Sequence, residues 1–304
     1  MEDITGKQIR LEEAAAVAVI FCTTKTLELI RENKLSKGSL FDIARTAGFV
    51  GAKLTPQLLP HRHPTTIDAM DISMNINDAE RPRITINGSA KSIGRTGIEM
   101  EILTAVTVAA LHIFDMLKTV DTTLEIGEIK LLKATGGKNQ DKKYFSTPPT
   151  CAILVCSDST AAGKREDKSG IIIRQLLQQV NAHVVAYEII ADDKTLIQKQ
   201  VLKWVAEDVH FIFTTGGTGL GPRDNTVSAV SEILERDADG ITEAMRNFGQ
   251  MRTSMAMMSR AVAGSIAHTL ILTLPGSTDG ARESLEAVLP AIFHARKMMK
   301  GGGH

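Results

Sequence analysis

The chain has 304 residues, enough for roughly two domains of ordinary size, and its 43% hydrophobic content can fill packed cores. Lysine plus arginine and aspartate plus glutamate each number 35, so net charge gives no indication of nucleic acid or an anionic membrane surface. Aromatic residues make up only 4%, which argues against a stacking platform for single-stranded nucleic acid. We therefore expect neither a nucleic acid nor a membrane as partner.

Cysteine content and the first apolar stretch indicate the cellular compartment. The chain has three cysteines, and two of them, Cys151 and Cys156, stand at the ends of one predicted strand. This pattern indicates reduced thiols in the core of a cytoplasmic protein. The apolar stretch 14–22 follows two glutamates and is too short to span a bilayer, so we interpret it as a buried element and not a signal peptide.

The first half of the chain separates helices from alternating strands. Its patterns predict helices over 25–34, 39–59 and 97–120 and strands over 67–76, 84–90 and 124–132. This arrangement predicts an α+β domain, with helices on an antiparallel sheet, over residues 1–140. A polar stretch that ends in two prolines predicts a linker over 141–149.

The second half alternates strands with helices. Strands are predicted over 151–156, 183–190, 209–213 and 270–274, and helices over 170–180, 194–206 and 225–236. Such alternation predicts an α/β three-layer domain with a mostly parallel sheet over 150–300. Because ligands of such sheets bind beyond the carboxyl ends of the strands, we expect the functional site there.

A glycine-rich loop follows the strand at 209–213 and reads Thr-Thr-Gly-Gly-Thr-Gly-Leu-Gly-Pro-Arg-Asp over 214–224. Its backbone amides could close on an anion, and the start of the next helix adds its positive dipole end. Neither of the two common phosphate-loop patterns is present, and composition alone also allows a flexible turn. Carboxylates at neighbouring strand ends, Asp158 and Asp192, favour a binding site.

Three features of the first half allow more than one interpretation. His61 and His63 alternate on an extended segment, but no cysteine or third histidine stands near them, so the spacing argues against a metal pair. Thr96 and Glu99 fit a capping box, and Glu99 then either satisfies the helix start or has a functional role.

Asp115 and Lys118, three apart on one helix face, form either a solvated pair or a partly buried pair with shifted pKa values suited to acid–base chemistry.

Several motifs of the first half occur together and in order. They include Thr-Gly-Ile-Glu-Met-Glu at 96–101 and Asp-Met-Leu-Lys at 115–118, with further segments at 37–38, 41–48, 59–60, 63–64 and 136–138. With these motifs, nearly all of 1–140 resembles the cyclic pyranopterin monophosphate synthase family of molybdenum cofactor biosynthesis. The resemblance implies a cofactor-free conversion of cyclised dihydro-GTP to cyclic pyranopterin monophosphate, with release of pyrophosphate. It also implies a homo-oligomer, a trimer or hexamer, with sites shared between subunits.

The resemblance implies roles for individual residues. Lys37 and Lys118 would supply acid–base and charge-neutralising groups, with Asp115 orienting Lys118. The substrate-binding set would be Lys53 and His63 for the triphosphate, and Glu99, Met100 and Glu101 for the pterin or its precursor.

Two departures from the family pattern bear on this site. Arg62 stands where the family often has cysteine, and it would add charge at the triphosphate end. Lys133 is displaced by one residue from the usual lysine. A one-residue move on a strand changes the face, so either the backbone bulges there or Lys133 does not replace that lysine.

The second half also carries motifs in a recognisable order. They are Ser-Asp at 157–158, Asp167 with Ser-Gly at 169–170, Asp192, Thr-Gly-Gly-Thr-Gly at 215–219, Arg-Asp at 223–224 with Thr226, Glu243, Ser-Arg at 259–260 and Leu-Pro-Gly at 274–276. With these motifs, 150–300 resembles the molybdopterin adenylyltransferase family. The two resemblances together match a known bifunctional fusion of two steps in one pathway.

This second resemblance implies adenylation of molybdopterin by ATP with Mg²⁺, releasing pyrophosphate. The loop residues Thr215, Gly216, Gly217, Thr218 and Gly219 would hold the terminal phosphate of the pterin. Asp192 would bind Mg²⁺ directly or through water, and Asp224 would position the reacting phosphate or bind the amide edge of the pterin. Asp158 and Ser259 would support binding.

Two alternatives of other classes remain open from the sequence. The second domain would then be a non-catalytic molybdopterin carrier or scaffold, or the first domain only an oligomerisation module. The pairing of Asp192 with Asp224 favours the enzyme, because a simple phosphate binder gains little from two carboxylates beside an anion.

Overall fold

The computed structural model describes residues 1–32, 39–78, 80–135 and 147–302. The chain divides into two compact units, Met1–Gln140 and Asp141–His304, and each is described by itself. Lys37 lies outside the described residues, as does the predicted linker except for residues 147–149.

The first unit is an antiparallel sheet with helices packed on it, which confirms the predicted α+β class. The sheet order is β2-β3-β1-β4. The elements in chain order are β1 (Arg10–Phe21), α1 (Thr24–Arg31), α2 (Leu40–Leu58), β2 (Ala69–Asn77), β3 (Arg83–Gly94), α3 (Glu99–Leu117) and β4 (Glu125–Thr135).

Strand periodicity and one apolar helix face build the core of this unit. Alternate residues of β1, mostly alanines, are buried towards the helices, so a helix can approach the sheet closely. Ile102, Val106 and Ile113 of α3 are fully buried in the same core. By length and composition α3 is apolar enough to cross a membrane, but here that apolar content fills a packed interface with the sheet and α2.

A β-bulge shifts the register where Lys133 departs from the family pattern. Ala15 pairs with Lys133 and Ala16 with Leu131, so Leu132 is the extra residue. Lys133 Nζ lies 3.7 Å from Glu13 Oε2, and Lys91 Nζ lies 2.9 Å from Glu13 Oε1. Of the two alternatives left by the sequence, the structure therefore has the bulge, and the bulge sets Lys133 beside Glu13.

The second unit contains a six-stranded sheet in the order β6-β5-β7-β10-β9-β8. Its strands are β5 (Thr150–Cys156), β6 (His183–Ile190), β7 (Phe211–Thr215), β8 (Arg236–Asp237), β9 (Ala263–Ile266) and β10 (Thr269–Leu274). The strands β6, β5, β7 and β10 run parallel to one another, and β9 pairs antiparallel with both β10 and β8. The predicted mostly parallel sheet is confirmed.

Helices cover both faces of this sheet and complete the three predicted layers. They are α4 (Asp158–Ala161), α5 (Ser169–Gln179), α6 (Lys194–Ala206), α7 (Thr226–Ser231), α8 (Asp239–Gln250), α9 (Thr278–Val288) and α10 (Ala295–Met299). Ile173 of α5, Met245 of α8 and Leu285 of α9 share one core, whereas Val201 of α6 and Val230 of α7 share the other.

The predicted helix over 225–236 is wrong beyond Ser231. Its apolar spacing continues through Ile233 and Leu234, but these side chains pack against the core of α6 and α7 from a turn. The chain then enters β8, where Arg236 pairs with Ser265. Sheet pairing therefore overrides the helical pattern here.

The three cysteines are free and buried, as predicted. Burial raises the pKa of the Cys22 thiol to about 11 and that of Cys156 to about 12. At neutral pH these thiols are therefore protonated and unreactive.

Asp121 joins the end of α3 to the start of α1 through its two carboxylate oxygens. Oδ2 accepts from Thr23 N at 2.8 Å and Thr26 Oγ1 at 2.7 Å, and Oδ1 accepts from Thr123 N at 2.9 Å and Thr123 Oγ1 at 2.7 Å. Burial alone would raise the pKa of Asp121, but the hydrogen bonds from Thr123, Thr23 and Thr26 hold it well below its usual range.

We predict that Asp121→Asn lowers the free energy of unfolding of this unit by about 2 kcal/mol at pH 7, because an amide cannot accept all these hydrogen bonds. A carboxylate with a lowered folded pKa stabilises above its unfolded pKa of about 4, and this contribution is lost as pH falls through the folded pKa. Urea unfolding from pH 7 to pH 3 tests both expectations. The exposed Asp71→Asn on β2 is the control, and equal pH dependence in the two variants would contradict the assignment.

Candidate functional site

The glycine loop after β7 lies directly against the end of β5. Gly216 and Gly217 adopt left-handed backbone conformations, with φ values of +93° and +58°. A Cβ on Gly216 would lie 2.1 Å from the carbonyl oxygen of Cys156, and a Cβ on Gly217 would lie 2.3 Å from Asp192 Oδ2. Only glycine permits both the backbone conformation and the close approach.

Asp192, just after the end of β6, accepts hydrogen bonds from the start of α7. Its Oδ1 accepts from Thr226 Oγ1 at 3.1 Å and its Oδ2 from Asn225 N at 3.3 Å, while its own N–H donates to Asp158 Oδ1 at 3.0 Å. Burial raises the pKa of Asp192, and the charges of Asp224 and Asp158 raise it further against these hydrogen bonds.

Asp224 closes the far side of the loop. Its Oδ2 accepts from Gly221 N at 2.7 Å, and a Cβ on Gly219 would lie 2.8 Å from the same oxygen. Asp192 and Asp224 therefore converge on the loop, as the sequence-based hypothesis requires.

A polar cavity of about 530 Å³ opens at the carboxyl ends of β5 and β7. It brings together the predicted residues Asp158, Asp192, Thr215, Gly216, Gly217 and Asp224. The hydroxyl of Thr215 donates to the carbonyl oxygen of Pro275 at 2.8 Å, which ties the loop to the end of β10.

A second cavity of about 560 Å³ lies on the other side of the loop. It is lined by the remaining predicted loop residues Thr218 and Gly219 and by Ser259. Its wall is less polar and includes Met245, Met255 and Met258. Ser277, the residue that caps α9, lines both cavities, so they share a boundary.

Sequence reasoning gave no role to the cations of the polar cavity, which are Arg165, Lys168 and Arg223. The first two come from the loop between α4 and α5, whose Lys-Arg-Glu-Asp-Lys run at 164–168 was the available signal. In that run Asp167 accepts from Gly170 N at 2.9 Å, at the start of α5, and from the hydroxyl of Tyr187.

In the first unit, Glu101 is buried with an arginine partner. Arg62 Nε donates to Glu101 Oε1 at 2.9 Å and Nη2 to Oε2 at 2.7 Å, and the carboxylate is only 1% exposed. The expectation that Arg62 adds free charge to the triphosphate end needs correction, because Glu101 neutralises that charge within the fold.

The capping-box interpretation of Thr96 and Glu99 is wrong. Helix α3 begins at Glu99, and the preceding Ile98 makes no side-chain cap. The carboxylate of Glu99 instead folds over Gly97, where a Cβ would lie 2.2 Å from Glu99 Oε2. Met100 is exposed beside it.

Asp115 and Lys118 form an exposed pair in the single chain. Lys118 Nζ donates to Asp115 Oδ1 at 2.5 Å, and the side chains are 57% exposed for Lys118 and 60% for Asp115. The partly buried alternative is therefore wrong for the isolated chain.

Lys53 is exposed on α2, and His63 Nε2 lies 2.6 Å from the carbonyl oxygen of Glu2. Within the described ranges no group of three or more His, Cys, Asp or Glu side chains could hold a metal ion, and this includes the surroundings of His61 and His63.

Comparison with known proteins agrees with the division of the chain into two units. Residues 1–137 match the MoaC family, and residues 152–294 match the probable molybdopterin binding domain. Along its whole length the chain is 41% identical to the molybdenum cofactor biosynthesis bifunctional protein of Chlorobaculum tepidum, covering 96% of that relative. It is 33% identical to the bifunctional protein of the same description from Synechococcus elongatus, covering all of this chain and 98% of that one.

The chain therefore belongs to the family of molybdenum cofactor biosynthesis bifunctional proteins. Its first part alone, 46% of the chain, is 43% identical to the cyclic pyranopterin monophosphate synthase of Pelotomaculum thermopropionicum and covers 81% of it.

We predict that Gly217→Ala displaces Asp192 from the loop. The control is Gly163→Ala, because Gly163 also has a positive φ, +70°, but nothing lies within 4 Å of its added Cβ. Both variants incur backbone strain of about 1–3 kcal/mol, but only Gly217→Ala also creates a clash with the carboxylate. Crystal structures and thermal unfolding of both variants test this. An unmoved Asp192 in Gly217→Ala would contradict the prediction.

Proposed function

We propose that the first domain, over 1–140, converts cyclised dihydro-GTP to cyclic pyranopterin monophosphate and pyrophosphate, and that the second, over 150–300, adenylates molybdopterin with ATP and Mg²⁺. The observation that carries the second activity is the convergence of Asp192 and Asp224 on the glycine loop between two cavities. The similarity to a named synthase carries the first.

The two cavities differ in the chemistry they suit. The polar cavity offers Arg165, Lys168 and Arg223 to the phosphates of a nucleotide, beside several carboxylates. The methionine-lined cavity suits the flat ring system of a pterin, since thioethers adapt to irregular apolar shapes. Loop amides between the cavities are then placed for the terminal phosphate of molybdopterin, where the new phosphoanhydride forms.

The residues present fit a Mg²⁺ ion that arrives with ATP. Mg²⁺ is usually bound through one or two carboxylates together with substrate phosphates and water, so a cage of three protein ligands is not needed. Asp192 would hold the ion directly or through water, and mutual repulsion among Asp158, Asp192 and Asp224 favours a cation at this place. When bound, the ion would offset charge on the phosphates. For the first domain we propose no cofactor.

The first domain's candidates are open to solvent in the single chain. Lys118, Asp115 and Lys53 are exposed, whereas phosphate chemistry benefits from a site that excludes water. We therefore propose a homo-oligomer, a trimer or hexamer, in which a neighbouring copy covers these residues. Within it, Lys118 acts with Lys37 in proton transfer, His63 and Lys53 bind the triphosphate, and Glu99 and Met100 contact the pterin precursor. Glu101 of the predicted binding set is left out, because Arg62 binds both of its carboxylate oxygens.

One assay for each half tests the assignment. For the second half it is pyrophosphate release from ATP that depends on added molybdopterin, and tight pterin binding without release would instead favour the carrier alternative. For the first half it is product formation from the cyclised precursor. An absence of product at high protein concentration would leave that half an oligomerisation module.

We predict that Lys118→Ala lowers pterin formation by at least about 100-fold, because it removes the proton donor or acceptor and a positive charge. Adenylation by the same chain is expected to be unchanged. Lys130→Ala is the matched control, since Lys130 is similarly exposed and also paired with a carboxylate, Glu128. Loss of both activities in Lys118→Ala would indicate a folding or assembly defect and contradict the assigned role.

We predict that Asp192→Asn lowers adenylation by about 100-fold or more, with molybdopterin affinity little changed. Because the pKa of Asp192 is raised, adenylation is expected to fall with decreasing pH earlier than for a carboxylate of ordinary pKa. Steady-state rates over a range of pH and Mg²⁺ concentration test this.

Asp193→Asn is the neighbouring control, since Asp193 caps α6 and asparagine caps equally well. Unchanged turnover of Asp192→Asn at saturating Mg²⁺ would remove Asp192 from the mechanism.

A further inference from the structure

The start of α3 is held by an arginine from a distant part of the chain. Arg62 precedes His63 on the segment after α2, and its side chain is 17% exposed. Two of its nitrogens meet the two oxygens of Glu101, at 2.9 and 2.7 Å. This is the bidentate geometry in which a planar guanidinium fixes a carboxylate in orientation as well as position.

The same guanidinium also reaches the backbone ahead of the helix. Arg62 Nη2 donates to the carbonyl oxygen of Gly97 as well as to Glu101. One side chain thereby connects the first turn of α3 and the loop before it to the segment that carries His63. Ile98 makes no side-chain cap at the start of α3, and the hydrogen bonds from Arg62 fix the position of this first turn.

The carboxylate of Glu99 lies over the backbone of Gly97, the residue whose carbonyl group Arg62 binds. A Cβ on Gly97 would fall 2.2 Å from Glu99 Oε2 and 2.5 Å from Glu99 Oε1, so that carboxylate lies over the Gly97 Cα. The carbonyl oxygen of the same residue, Gly97, accepts the hydrogen bond from Arg62. A shift of the Arg62 guanidinium would therefore move the Gly97 backbone against which the Glu99 carboxylate lies.

We propose that Arg62 is a positioning residue for the reaction of the first domain. It acts through Glu101 and the carbonyl of Gly97 to set the direction of the Glu99 carboxylate relative to His63. Both oxygens of Glu101 are engaged by Arg62, so Glu101 serves as the anchor of this support and Glu99 as the carboxylate that contacts substrate. The inference rests on the synthase activity proposed above.

The test is a double-mutant cycle on product formation from cyclised dihydro-GTP. Arg62→Lys keeps the charge but cannot form the two parallel hydrogen bonds, and Glu101→Gln keeps the shape but removes the charge. Each is expected to lower kcat about tenfold or more while KM changes by less than about twofold, because the support and not a substrate contact is lost. The double variant is expected to be no slower than the slower single one.

Two comparison variants distinguish positioning from a general loss of stability. Glu99→Gln is expected to lower kcat at least as much as Arg62→Lys, because the support acts through this carboxylate, and to raise KM as well, as loss of a direct contact does. Arg81→Lys also weakens an arginine–carboxylate pair, with Glu125, but it lies just before Arg83, at the other end of β3 from Gly94, and should leave kcat unchanged. Thermal unfolding and adenylation by each chain report on folding.

Several outcomes would overturn the inference. One is a lowered Tm with unchanged kcat, which would make the pair purely structural. Another is a KM increase in Glu101→Gln with losses that multiply in the double variant, which would make Glu101 a substrate ligand in its own right. A wild-type chain that forms no product would instead overturn the proposed function, and this inference with it.

Discussion

The arrangement of the second unit depends on one steric constraint, the contact between two left-handed glycines and the strand ends beside them. Gly216 lies against the last carbonyl of β5, and Gly217 lies against Asp192 and Thr226. Because no side chain separates them, backbone amides and carboxylates occupy the same small region. Burial and neighbouring charge then shift the pKa of Asp192 upwards.

The two units treat buried charge in different ways. In the first, Glu101 and Arg62 neutralise each other within the fold, and a buried pair of this kind sets geometry more than it adds stability. In the second, Asp158, Asp192 and Asp224 line one cavity together with further carboxylates and with cations on exposed loops. In the first unit the charges of Arg62 and Glu101 are therefore paired with each other, whereas in the second unit charged side chains line an open cavity.

Much of the fold was predictable because it depends on local periodicity. The bounds of β6 and α6 coincide with the predicted ranges, and the residues after each parallel strand meet at one edge as the topology requires. The end of α7 was not predictable, because Ile233 and Leu234 keep helical spacing while β8 pairs with β9, a non-local contact.

In the candidate site of the first unit, non-local contacts limited prediction from the sequence even more. The pairing of Arg62 with Glu101 joins residues 39 positions apart, and no spacing rule relates an extended segment to the first turn of a later helix. The bulge at Leu132 was one of two outcomes that the displaced Lys133 allowed, and only the register with Ala15 and Ala16 decided between them. Sequence patterns therefore indicated candidate residues, whereas their contacts were set by tertiary packing.

The buried thiols provide a means of observing each unit separately. Cys22 belongs to the core of the first unit, and Cys151 and Cys156 to the cores of the second. A thiol reagent reaches any of them only when the surrounding core opens, since burial both blocks access and suppresses the reactive thiolate. Peptide mapping of the labelled cysteines would thus give the opening rate of either half in the intact, unmodified chain, without an attached probe.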